Sequence, residues 1–220
     1  MSTETQIVDR FHRCRLLFGE NYPKIENAKI LIFGVGGVGS FCLDALYRTG
    51  IQDITIVDDD VYDVTNQNRQ IGSDAVGESK VLTLAKLYKG VKPMQLLVTK
   101  EWIDEFDFSS FDVIIDAIDD IPAKVALAHK VSDKLVSSMG GAKRIDVSKI
   151  EISTIWKTKV DAFARKIRYE LKKSKFKGNY PVVYSTEEPN CIPLGSFEGV
   201  TGSFGLAVAS LVVQKILKEK

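Results

Sequence analysis

The run Ile30-Leu31-Ile32-Phe33-Gly34-Val35-Gly36-Gly37-Val38-Gly39 leaves this chain few architectures to choose from. Residues 28–33, apolar without interruption from Ile30 to Phe33, read as a strand buried on both faces, and such strands belong to parallel sheets covered by helices. The glycines then let the backbone turn sharply and bring its N–H groups against a phosphate at the start of the next helix. Nineteen residues past Gly39 stands Asp58, first of the acidic run Asp58-Asp59-Asp60, where a carboxylate ending the next strand can accept hydrogen bonds from a ribose. The pattern predicts a nucleotide site, although a glycine turn taken alone also serves close packing of a helix on a strand.

The rest of the chain repeats strand and helix. A helix over 38–48 stops at Thr49-Gly50, a C-cap signal, and a strand follows over 54–57. Further strands are expected at 95–99, 111–117, 135–138 and 150–155. Helices are expected at 77–88 and at 121–131, where Pro122 is tolerated in a first turn. Residues 7–19 form a short arginine-bearing helix leading in. Residues 161–173 form an amphipathic basic helix with Phe163, Ile167 and Leu171 every fourth position. Residues 175–190 are a loop or short strand, and 203–217 a closing apolar helix. The expected fold is α/β, a Rossmann-like, mostly parallel sheet with helices on both faces. Residues 1–155 make its core and N-terminal arm, and 156–220 a C-terminal extension packed on the same domain.

What separates a redox domain from a phosphate-handling one is the polar segment Asp60-Val-Tyr-Asp63-Val-Thr65-Asn66-Gln67-Asn68-Arg69-Gln70, with Lys80 beyond it. Asn68, Arg69, Gln70 and Lys80 are donors of the kind that offset charge developing on a phosphoryl oxygen, and a nicotinamide site has no use for them. Asp60 and Asp63 read in two ways, as a solvated loop or as carboxylates that help place magnesium. Asp119, after the strand at 111–117, stands at the carboxyl rim of the sheet, where it and Asp120 could cap the following helix. As a hard oxygen ligand Asp119 is also the best candidate for magnesium.

Composition excludes several classes. The formal net charge is +1, yet residues 151–180 hold nine Lys or Arg against three Asp or Glu, a local anion-binding surface. Cys14, Cys42 and Cys191 are too far apart for a zinc knuckle and fit a reduced, cytoplasmic protein. The first six residues lack a signal pattern, and the late apolar stretch 204–216 is too short for a bilayer, so no membrane partner is expected. His12 and His129, the only histidines, form no catalytic triad, and Cys191 has two acids before it and nothing visible to activate it.

The series Gly34-x-Gly36-Gly37-x-Gly39, Asp58-x-Asp60, Asn68-Arg69-Gln70, Lys80 and Asp116-Ala-Ile-Asp119 resembles the ubiquitin-activating-like adenylating superfamily. The resemblance implies Mg-ATP as co-substrate, with Gly34, Gly36, Gly37 and Gly39 around the phosphates and Asp58 with Asp60 at the ribose end. It places Asn68, Arg69 and Lys80 on the triphosphate, Gln70 in support and Asp119 at the magnesium. Arg15, in Arg13-Cys14-Arg15-Leu-Leu-Phe-Gly19, looks like the arginine such enzymes lend across a homodimer to the neighbour's ATP.

Arg15-Leu-Leu-Phe-Gly19, Thr65 to Ile71, Gly140-Gly141-Ala142 and Tyr184-Ser185-Thr186-Glu187 are similar to one branch. That branch dehydrates N6-threonylcarbamoyladenosine at position 37 of tRNA to its cyclic form. The implied substrate is a tRNA anticodon loop, to which Arg165, Lys166, Arg168, Lys172 and Lys173 offer a phosphate-binding surface, or else a merely solvated face. The alternative is adenylation of the C-terminal Gly-Gly carboxylate of a sulfur-carrier protein, though the Cys-x-x-Cys zinc ligands frequent there are absent. A cysteine common in the dehydratase branch just before the Tyr184 segment is replaced by Pro181-Val182-Val183. A monovalent cation at the late loop and a sulfur- or electron-transfer partner stay open additions.

Overall fold

A computed structural model describes residues 8–218; the first six residues, on which the leader reading rests, lie outside them. Seven strands form one sheet in the order β3-β2-β1-β4-β5-β7-β6. In chain order these are β1 Lys29–Phe33, β2 Asp53–Val57, β3 Lys92–Met94, β4 Val113–Asp116, β5 Leu135–Ser138, β6 Ile150–Thr154 and β7 Pro181–Ser185. All pairings are parallel except β6 with β7. The helices are α1 His12–Phe18, α2 Tyr22–Glu26, α3 Gly39–Thr49, α4 Lys80–Leu87, α5 Lys100–Glu105, α6 Ile121–Val131, α7 Ala162–Lys173 and α8 Glu198–Lys218.

Alternate side chains of a strand point to opposite faces, so each buried strand feeds two cores. Ile30, Ile32, Ile54, Ile56 and Ile115 meet Leu43, Leu46, Leu84, Phe204, Val208 and Val212 of α3, α4 and α8. Leu31, Phe33, Val57 and Ile114 meet Ile103, Leu127, Ile167 and Leu171 of α5, α6 and α7. The mostly parallel, doubly covered sheet expected above is thus present.

Three expectations need correction. Residues 95–99 are not a strand: β3 is Lys92–Met94, at the sheet edge where Pro93, lacking an N–H, can be accommodated. The chain leaves the sheet after Met94 and turns over the carboxyl rim. The strand at 150–154 runs antiparallel in the otherwise parallel sheet; of the two readings of 175–190, loop or short strand, the second holds, and this strand, β7, lies between β5 and β6. Residues 156–220 therefore contribute an interior strand to the same sheet. Finally, α8 extends over 21 residues, five earlier than the pattern indicated, and is long and apolar enough to cross a bilayer by length and composition. Its stripe Val200, Phe204, Val208, Val212 and Ile216 is instead buried in the core.

Candidate functional site

The strand order reverses direction between β1 and β4, and the crevice outside the carboxyl ends of these two strands is where such sheets bind ligands. A cavity of about 510 Å3 opens there. The glycine turn forms its floor. Gly34 has φ +80°, and a Cβ on it would stand 2.8 Å from the Ala117 carbonyl oxygen of β4's extension. A Cβ on Gly39 would lie 1.8 Å from the Gly34 carbonyl oxygen, so only glycine lets α3 begin this close to the strand. No side chain caps α3, whose Ser40 N–H donates back to the Gly36 carbonyl at 3.0 Å, and the positive end of the helix faces the cavity.

Asp58, half-buried, accepts a hydrogen bond from the Val35 N–H at 2.8 Å and from the Asp60 N–H at 3.0 Å, which locks the glycine turn to the end of β2. Burial pushes its carboxyl above the usual aspartate value, against the pull of these two backbone donors and of Lys80. Lys80 begins α4 and is buried, its ammonium 2.7 Å from the Asp60 carboxylate. Asp60 thereby presents Lys80 to the cavity. Asp63 follows the solvated-loop reading: it is exposed, and its carboxylate accepts from the Thr65 N–H at 2.8 Å and caps the single turn Val64–Asn66.

That turn aims Arg69 at the glycines. The guanidinium donates to the Thr65 carbonyl at 2.7 Å and to the Asn68 side-chain oxygen at 2.9 Å, while the Asn68 amide donates to the Ser196 carbonyl at 3.0 Å. Asn68 itself lies outside the cavity lining, so it steadies Arg69 and ties it to the late loop. Gln70 lines the cavity against Gly36, and its side-chain oxygen is buried with no partner among the described residues.

Across the cavity stand Ala117, Ile118, Asp119 and Asp120. Asp120 accepts from the Ala123 N–H at 2.7 Å and caps α6. Asp119 is exposed, lines the cavity and pairs with no described residue, so its oxygens are available to a hard cation. The donor set fits magnesium. Asp58, Asp59 and Asp60 also bring carboxylate oxygens within 4.8 Å of one another, but Asp58 and Asp60 are already engaged as described.

Several contributors escaped the sequence reading. Leu96, Leu97 and Val98, expected as strand, wall the cavity with an apolar surface suited to a purine ring, and Thr201 of α8 closes another side. Beneath Asp119, Lys124 is fully buried, its ammonium donating to the Asp116 carboxylate at 2.9 Å and the Ser138 carbonyl at 2.8 Å. Ser137 completes the cluster by donating to Asp116 at 2.7 Å. Nothing in a helical pattern distinguishes such a lysine from a solvated one. Arg144 and Asp161 form a second buried pair at 3.3 Å, and Asp161 also caps α7 by accepting from the Ala164 N–H at 2.8 Å.

The remaining expected residues lie elsewhere. Arg15, on α1, pairs with Asp9 and sits with its guanidinium 5.7 Å from the Tyr22 ring centre, outside the cavity. On α7, Arg165, Lys166, Lys172 and Lys173 are exposed, but the Arg168 guanidinium is half-buried and donates to the Thr158 hydroxyl, so it is withdrawn from the expected surface. Cys42 is buried in the core, and Cys191 is exposed in the late loop, its thiol 3.2 Å from the Pro193 carbonyl.

The fold and the cavity define a nucleotide-binding α/β protein whose cationic and carboxylate groups are arranged for phosphate chemistry. The ThiF family model matches residues 9–219, and the chain belongs to the ThiF family. It is 33% identical to a tRNA threonylcarbamoyladenosine dehydratase of Bacillus subtilis over 195 residues, 83% of this chain and 77% of that protein. It is 34% identical to the Escherichia coli protein of the same name over 197 residues, 81% and 74% of the two chains. The crystal structure of E. coli tRNA N6-threonylcarbamoyladenosine dehydratase in complex with ATP superposes with a TM-score of 0.87 at 33% identity, over 94% of this chain and 93% of that one.

Proposed function

We propose that this protein uses ATP to dehydrate N6-threonylcarbamoyladenosine at position 37 of tRNA to its cyclic form. The observation that carries the reading is the convergence of Arg69, Lys80 and Asp119 with the glycine turn in one cavity. The chain that builds this cavity is about a third identical to such dehydratases over most of its length. The purine lies against Leu96 to Val98, the ribose on Asp58, and the phosphates run along the glycine turn toward Arg69 and Lys80, with Gln70 in support. Asn68 acts through Arg69. Magnesium on Asp119 supplies charge neutralisation for the phosphates.

The threonyl carboxylate of the modified nucleoside attacks the α-phosphorus of ATP, and the bond to pyrophosphate breaks. The product is an acyl adenylate, in which a poor leaving oxygen has become part of AMP. The neighbouring ureido group then closes on the activated carbonyl, loses a proton and expels AMP, so the water lost from the nucleoside is accounted for by hydrolysis of ATP to AMP and pyrophosphate. Arg69 and Lys80 stabilise the negative charge spread over the phosphoryl oxygens in the first step, a preorganised contribution worth about 100- to 1,000-fold in rate for a single donor.

The protein acts in the cytoplasm as a homodimer, in which Arg15 of one protomer reaches the ATP of the other. A monovalent cation at the late loop is compatible with this scheme. The test is to incubate the protein with Mg-ATP and tRNA carrying the linear nucleoside, digest the tRNA and weigh the nucleosides. Loss of one water together with formation of AMP is the expected result. An unchanged nucleoside alongside adenylation of a carrier protein ending in Gly-Gly would replace this reading with the sulfur-carrier one.

A further inference from the structure

Apart from the nucleotide cavity, a groove of about 1190 Å3 runs between α5, α6 and α7, for which the scheme above has no use. Its floor is apolar, made by Ile121, Pro122, Val125 and Ala126 of α6. Its far wall is α7, where Tyr169 presents an aromatic ring that is 65% exposed. Arg165 and Lys166 flank the tyrosine on the same wall, and neither is paired with a described carboxylate. The groove's other charges are neutralised in place, Lys100 by Asp104 at 2.7 Å and Lys173 by Glu170 at 3.7 Å. Uncompensated positive charge therefore collects at one end.

That end adjoins the reaction site. Asp120 lines the nucleotide cavity and Ile121, the next residue, lines the groove. An apolar slot with an exposed aromatic face, bordered by unpaired cations and opening beside the catalytic rim, matches single-stranded RNA. Unstacked bases pack on aromatic side chains while arginine and lysine follow the phosphates. A double-stranded helix has no base to insert here, and an acidic peptide would leave the aromatic face unused.

We infer that the groove is a nucleobase subsite, in which a base flanking the modified adenosine leaves the anticodon-loop stack and packs on Tyr169, its phosphates held by Arg165 and Lys166. This rests on the tRNA reading and adds to it a way of presenting the substrate: with the neighbouring base held in the groove, the modified nucleoside is left extended toward Asp119.

The experiment uses the full-length protein with Tyr169→Ala, Tyr169→Phe and the pair Arg165→Glu with Lys166→Glu. An anticodon stem–loop carrying the linear modified nucleoside and a fluorescent 2-aminopurine at each flanking position in turn serves as probe. Tyr169→Ala should weaken RNA binding about tenfold, with the salt dependence unchanged, and abolish the fluorescence quenching at one flanking position. Tyr169→Phe, which keeps the ring, should restore both. The charge-reversal pair should weaken binding and flatten the salt dependence. ATP affinity without RNA should stay at the wild-type value in all three. Wild-type affinity and quenching in Tyr169→Ala, with dehydration intact, would overturn the groove while leaving the function standing. Failure of the wild-type protein to dehydrate the nucleoside would instead remove the function on which it rests.

Discussion

Replacing Lys124 by Met tests whether the rim of the site depends on a charge hidden beneath it. The Lys124 and Asp116 side chains are each 1% exposed, and the ammonium is the only cation within reach of that carboxylate among the described residues. Methionine keeps much of the aliphatic stem but leaves Asp116 as an uncompensated buried charge whose remaining donor is the Ser137 hydroxyl at 2.7 Å. Breaking a buried pair in this way costs about 3–5 kcal/mol. For a domain of this size each kcal/mol lowers the melting temperature by about 2–4 °C, so a fall of about 6–20 °C is expected. Thermal unfolding followed by circular dichroism measures it. The companion Asp116→Asn with Lys124→Met, which removes both charges, should recover at least half of the loss. A melting temperature within about 2 °C of wild type for Lys124→Met alone would refute the reasoning, since the pair would then contribute no more than a surface bridge. Because Asp119 follows Asp116, the last residue of β4, by only three positions, the same variant should also weaken magnesium dependence of turnover.

Arg69→Ala, Lys80→Ala and Asp119→Ala should each reduce nucleoside dehydration by about 100-fold or more while leaving the melting temperature nearly unchanged for the two exposed to the cavity, Arg69 and Asp119; mass spectrometry of the digested tRNA reads the first quantity and calorimetry the second. Asp58 supplies a pH signature. Its folded carboxyl lies above the unfolded value of 3.8 because it is buried, so its ionisation opposes folding at neutral pH and that opposition disappears below the unfolded value. Ribose recognition needs the ionised form, and ATP affinity measured by titration calorimetry should therefore begin to fall at a higher pH than an exposed aspartate would dictate. Asp58→Asn should bind ATP more weakly and lose this pH dependence.

Much of this architecture is legible in local pattern. The helix over 121–131 and the strand over 135–138 appear with the bounds read from the sequence, because Pro122 starts the one and the turn Met139-Gly140-Gly141 ends the other. The glycine turn, Asp58, Arg69 and Lys80, singled out by residue type at short spacings along the chain, line one cavity. The two readings of Asp63 stayed open in the sequence because a carboxylate in an acidic loop carries no mark of whether it faces a ligand or caps its own turn.

What local pattern cannot contain is pairing between distant segments. The sequence alone determined that buried strands and covering helices alternate and that a glycine turn follows the first strand. Only the tertiary structure decided that β7 enters between β5 and β6, that residues 95–98 wall the cavity rather than extend the sheet, and that Lys124 is buried beneath Asp119. The reason is physical: apolar periodicity is a property of a few adjacent residues, whereas strand order and the pairing of a buried charge are settled by free energies that exist only once the whole chain has packed.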